Sequence, residues 1–235
     1  MRHPVRLAAG AAACFVAFSH AGLAATRIGD ATQVVRQVSG SVGGRTRTIA
    51  PNDEVFQAET IRTGSESSAH LRFLDRTDLS IGGSATVKLD RFVYDPGGSA
   101  RSVVVSSTKG VLRWVSGDST SRAYEIRTPH AILGIRGTAF DLIVAPRETV
   151  VVLGQGVVSV CARLGPRNCE ILSVPGAVAI AGARGLLGPA SAAVQTLDLQ
   201  AAYVQYGGAS ILGASPAAQA PVAGSLFEFG KAPPR

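Results

Sequence analysis

The stretch "SAHLRFLDRTDLSIGGSATVKL", residues 68–89, decides the fold class. Ala69, Leu71 and Phe73 alternate with Ser68, His70 and Arg72, and this period of two turns one set of side chains to each face of a strand. The polar cluster Asp75, Arg76, Thr77 and Asp78 predicts a turn; the alternation resumes with Leu79 and Ile81 and stops at Gly82 and Gly83. A third run sets Ala85, Val87 and Leu89 against Ser84, Thr86 and Lys88. Three such strands in about 25 residues read as a meander.

Outward from this stretch the same grammar holds. Upstream lie "TQVVRQVSGSVGG" and "DEVFQAETIRTGSESS"; downstream lie "SVVVSSTKG", "VLRWVSG" and "AYEIRT", each bounded by Gly, Ser, Thr, Asp or Pro. Turn signals every ten residues or so predict an all-β domain of short antiparallel strands, in a sandwich or jelly-roll-like arrangement. A β-solenoid is the alternative, because the segments are short and regular. Beyond Ile180 the composition shifts to Ala, Gly, Pro and Gln, with one short helix suggested by Leu197, Ala201 and Val204 in an otherwise low-complexity tail.

At the other end, Arg2 and Arg6 precede an apolar run and the small residues Ala24 and Ala25, the pattern of a secretory signal over residues 1–25. Cys14 only weakly resembles a lipoprotein cleavage site. The domain reading is therefore a signal peptide at 1–25, one all-β domain at 26–180 and a tail at 181–235. Processing leaves 21 basic and 16 acidic residues, a charge of +5, with the cations scattered rather than clustered as nucleic-acid binding requires. A periplasmic location follows, with no membrane span after processing. Only Cys161 and Cys169 then remain, in two apolar runs around a loop containing Gly165, Pro166 and Asn168. In an oxidising compartment an antiparallel hairpin would join them as a disulfide; a zinc site lacks a second ligand pair, and a redox site more often uses C-x-x-C.

No catalytic constellation, metal site or cofactor motif is expected. His70 and His130 have no nucleophile beside them in sequence, although a triad assembled in space is invisible at this level. "GQGVVS", residues 154–159, begins like a dinucleotide fingerprint but lacks its third glycine and its helix, so Gly154 and Gly156 read as a hairpin turn. Trp114 is expected in the core or at its rim.

"RTPHAILGIRGTAFDLIV", residues 127–144, sets Arg136 inside an apolar run that reads as an interior strand buried on both faces. A guanidinium there needs acceptors, and Asp141, Glu125 or carbonyls at a corner are the expected ones, with Gly134 and Gly137 allowing close approach and a bend beside Thr138. The sharper reading makes Arg136 the anion anchor of a binding pocket.

These residues carry a resemblance. "RTGSES", "FLDRTDL", "KGVLRW" and "TPHAILGIRGT" are similar, in this order, to the motifs of the FecR domain family, over about residues 35–180. The resemblance implies an extracytoplasmic all-β domain without catalytic chemistry. Its namesakes control a sigma factor through a cytoplasmic segment ahead of a membrane helix; neither is legible here, so direct sigma-factor control is not expected. Two functional readings follow. The first is a non-catalytic periplasmic module that binds an envelope protein partner in signalling or assembly. The second is a module for an anionic glycan or small ligand, using Arg136, Arg113 and Trp114.

Overall fold

In a computed structural model of the protein, residues 25–119, 123–165 and 168–189 are described. Residues 1–24 of the leader, the helix expected around Leu197 and the tail beyond residue 189 lie outside them. The strands in chain order are β1 Arg27–Val35, β2 Val38–Val42, β3 Arg45–Thr48, β4 Glu54–Phe56, β5 Thr60–Thr63, β6 Ser68–Phe73, β7 Asp78–Ile81 and β8 Thr86–Tyr94. They continue with β9 Ala100–Val115, β10 Tyr124–Arg127, β11 Ala131–Val144, β12 Glu148–Ala162, β13 Cys169–Leu172, β14 Val178–Gly182 and β15 Gly185–Pro189. The fold is all-β, with no helix among the described residues.

Alternation sets the local elements. Ala69, Leu71 and Phe73 of β6 are buried, as are Val87 and Leu89 of β8. Arg76, at φ +64°, turns the chain between β6 and β7, and Asp75 Oδ1 accepts the N–H of Thr77 at 3.2 Å. The meander ends there. β6 and β7 form a hairpin, but β7 goes on to pair with β9, whereas β8 pairs with β5 and β9. Alternation shows which side chains turn inward; it does not show which strand lies alongside.

Among the described strands every pairing is antiparallel except that of β10 with the first half of β9. β10 is wedged between β9 and β11, and beyond it the second halves of β9 and β11 pair directly. β9 is one strand where the sequence suggests two. Gly110 bends it at φ +109°, and a β-carbon there would lie 2.3 Å from that of Ala85, so only glycine admits this approach.

The strands make one large mixed sheet that does not close into a barrel. It folds over a single core running from Ile28 in β1 to Ala181 in β14. Phe73 of β6 and Phe92 of β8, on strands that are not bonded to each other, meet edge-on with ring centroids 4.7 Å apart. Trp114 packs on Tyr124 at 5.5 Å. A solenoid would instead stack successive coils in parallel. β14 and β15 carry the pairing on to Pro189, past the point where the composition changes. A buried polar knot braces the β6–β7 turn: Asp75 accepts from Tyr124 Oη at 2.7 Å and from Ser119 Oγ at 2.8 Å. Burial, together with the bond to Asp75, raises Tyr124 above the usual phenol range.

Candidate functional site

In the first half of β11, Ala131, Leu133 and Ile135 are buried while Ile132, Gly134 and Arg136 face outward; in the second half Thr138, Phe140, Leu142 and Val144 are buried. A bulge changes the parity. Gly137, at φ +55°, and Thr138 oppose Gly156 alone, between the pairs Arg136 with Val157 and Ala139 with Gln155. The expected burial on both faces holds only at residues 142–144. Arg136 is therefore solvent-facing rather than interior. Neither Asp141 nor Glu125 pairs with it: Asp141 is forked by Arg113 at 2.7 and 2.8 Å, and Glu125 is held by Arg127.

The glycines divide by role. Gly154 and Gly156 are not a hairpin turn but positions inside β12, where Gly156, at φ +88°, would place a β-carbon 2.3 Å from the carbonyl oxygen of Gly137. Gly134 is different. It has no left-handed φ, and its β-carbon would meet only that of Ser159, at 3.9 Å. Close backbone approach, the role expected of Gly134, does not occur there. Thr138 donates its N–H to Ser116 Oγ at 3.2 Å, and its buried Oγ1 has no hydrogen-bond partner among the described residues.

Arg113 and Trp114, adjacent on β9, project to opposite faces. Trp114 is 1% exposed, packs in the core and donates Nε1–H to Ser116 Oγ at 3.1 Å. The arginine and tryptophan therefore form no joint surface, and the pocket expected from Arg136, Arg113 and Trp114 is not assembled.

What Arg136 joins instead is the outer face of β8 to β13. One cross-strand row runs Arg91, Val104, Glu125, Gly134, Ser159, Ile171, one residue from each strand in turn. Arg136 and Ile132 flank Gly134 along β11, and these residues line one open depression. Ile171 is 68% exposed and Ile132 37%. The disulfide between Cys161 and Cys169 lies at the border, clamping β13 to β12 across a directly paired position. Arg91 and Ile171 escaped the sequence reading because only strand register brings them beside Arg136.

A second constellation was invisible in the sequence. Ser80 Oγ lies 3.0 Å from His70 Nδ1, and His70 Nε2 lies 3.1 Å from Asp78 Oδ1. The resemblance to a hydrolytic triad stops at connectivity. β7 is hydrogen-bonded to β6 on one edge and β9 on the other, so its amides are committed to the ladders, and Arg72 forks both oxygens of Asp78. β7 itself leaves no pair of free backbone donors for an oxyanion, and the three side chains form a cross-strand polar cluster. Burial raises the Asp78 carboxyl, but the bonds from His70 and Arg72 and the charge of Arg72 outweigh it and hold the group below its usual range.

Compared with known families, residues 59–159 match the family described as FecR protein. These residues carry a FecR domain. No curated protein matches the chain. Among solved structures it is similar to a protein provisionally assigned as an anti-sigma factor from Parabacteroides distasonis, with 15% identity, 53% of this chain and 55% of that one covered, and a TM-score of 0.42. The chain thus spans about half the length of that relative. A cell surface anchoring domain shares 34% identity over 27% of this chain and 84% of its own, with a TM-score of 0.26. These two likenesses carry no argument about fold or role.

Several FecR motif residues serve the backbone. Thr63 Oγ1 donates to the carbonyl of Gly82 at 2.6 Å and accepts from the N–H of Ala85 at 2.9 Å, tying together the segments before β6 and β8. Thr128 Oγ1 accepts from the N–H of Ala131 at 2.8 Å and of His130 at 3.2 Å, which shapes the entry to β11. Within the FecR block from Thr128 to Thr138, the outward-facing Gly134 and Arg136 are the members such duties do not explain.

Proposed function

We propose that this FecR-domain protein is an exported, non-catalytic module of the periplasm that binds a protein partner in envelope signalling or assembly. The family supports a signalling or regulatory role. The observation that carries the binding reading is the open face of β8 to β13, where isoleucines stand exposed beside an arginine with no acid partner among the described residues. Exposed apolar groups bordered by charge are the usual make-up of a protein contact surface.

The test uses the full chain with a C-terminal tag, expressed in a Gram-negative host. Mass spectrometry of the periplasmic fraction is expected to find a mature N-terminus near Thr26, and mild crosslinking in envelope extracts is expected to retain the same protein partner in repeated preparations. Repeated recovery of no partner sinks the reading. A fluorophosphonate probe is expected to leave Ser80 unlabelled; labelling would overturn the non-catalytic assignment.

A further inference from the structure

Resting on the protein-binding reading above, we infer that the face of β8 to β13 takes an extended acidic segment of the partner, an apolar side chain lying over Gly134 and carboxylates reaching Arg91 and Arg136. Charge is the first argument. Lys88, Arg113 and Arg127 are each matched by an acid of this chain, namely Asp90, Asp141 and Glu125. Arg91 and Arg136 have no acid partner among the described residues, which leaves both guanidinium groups open to carboxylates of a partner. Gly134 is the second argument. Neither φ nor packing requires glycine there, and the missing side chain leaves a notch in the middle of the row.

The arrangement selects the shape of the occupant. Glu125 is the cross-strand partner of Gly134, so a compact anion such as phosphate would meet a carboxylate at the centre of the face. Ile132, Ile171 and Val93 expose hydrocarbon, which suits an apolar anchor better than the hydroxyls of a polyanionic glycan. Arg91 and Arg136 lie three strands and two residues apart, about 16 Å between α-carbons from ordinary strand spacing and rise. An extended peptide presents residues i, i+2 and i+4 on one side, the outer two about 13 Å apart. Their side chains cover the difference, and the pattern acid-x-apolar-x-acid fits the face.

The probe is the peptide Glu-Ser-Leu-Ser-Glu, titrated into the isotope-labelled mature chain and followed by amide chemical shifts at low salt. Shifts are expected at Arg91, Gly134 and Arg136. Replacing the central Leu by Gly is expected to weaken binding at least about fivefold, and Arg136→Glu about tenfold or more. Arg147→Glu, in the turn at the far end of β11, is expected to leave binding unchanged. Gly134→Val fills the notch and is expected to abolish the response while the folded spectrum persists; should it not fold, Arg136→Glu and the Gly-centred peptide decide. Equal losses from Arg147→Glu and Arg136→Glu overturn the inference, as does equal binding of the Gly-centred peptide. So does a heparin oligosaccharide that shifts these amides when the peptide does not. If the crosslinked partner is retained as well by Arg136→Glu as by the native chain, the protein-binding reading stands and this site falls.

Discussion

At Gly156 a side chain would collide with the carbonyl of Gly137 while the backbone sits at φ +88°, whereas at Gly134, on the neighbouring strand, neither constraint applies. Gly156→Ala is therefore expected to destabilise the domain by about 2 kcal/mol, and Gly134→Ala to stabilise it by about 0.5 kcal/mol, since a strand-interior glycine is disfavoured relative to alanine. Urea denaturation of the two variants checks the contrast; equal losses would mean that Gly134 packs more tightly than the structure shows. Arg136→Leu in the same assay is expected to change stability by less than about 0.5 kcal/mol, because the exposed guanidinium has no bond to lose among the described residues. The arginine is legible in the sequence as out of place. Its exposure is not, because the bulge at Gly137 and Thr138 reverses the inward parity, and an alternation count cannot register an extra residue. Asp78 supplies a pH test. Its folded-state pKa lies below the ordinary value of 3.8, so its stabilising contribution is present above that pH and is lost as the pH falls through the lower, folded-state value. The melting temperature of the native chain is expected to fall more steeply below about pH 4 than that of Asp78→Asn; parallel curves would remove Asp78 from the acid response.

β13 is a four-residue strand that among the described strands pairs only with β12, and the disulfide fixes it there. A bridge closing so short a loop is worth about 2.5 kcal/mol in the chain-entropy account. Reduction, or the double replacement Cys161→Ser and Cys169→Ser, is expected to lower stability by about that amount and to raise hydrogen exchange first at Ile171 and Leu172. A uniform rise across β9, β11 and β12 would show instead that the bridge braces the whole domain. Since Ile171 rides on β13, the bridge also holds one border of the open face. Cysteine spacing and the intervening loop made this pairing readable, because a hairpin needs only local chain to bring two cysteines together. β9 was less legible: Gly110 reads as a stop, yet the strand continues, because partners on both edges hold the chain extended through the bend.

Across the described residues one core reaches from β1 to β14 and encloses the single tryptophan of the sequence, Trp114. Unfolding followed by Trp114 emission and by far-ultraviolet circular dichroism is expected to give coincident transitions; separated midpoints would show two folding units. By itself the sequence determined the all-β class, the inward faces of β6 and β8, and the cysteine pairing. Each depends on contacts within a few residues or on a period of two that survives burial. Only the tertiary structure decided that β8 leaves the hairpin of β6 and β7, that β10 runs parallel to β9, and that Trp114 lies in the core while Arg113 turns outward onto Asp141. It alone also aligned Arg91, Gly134 and Ile171 in one row from strands far apart in sequence. The physical reason is that strand pairing uses the same backbone groups at every residue, so which strands become neighbours is set by how the layers close over the core, and surface sites follow from that choice.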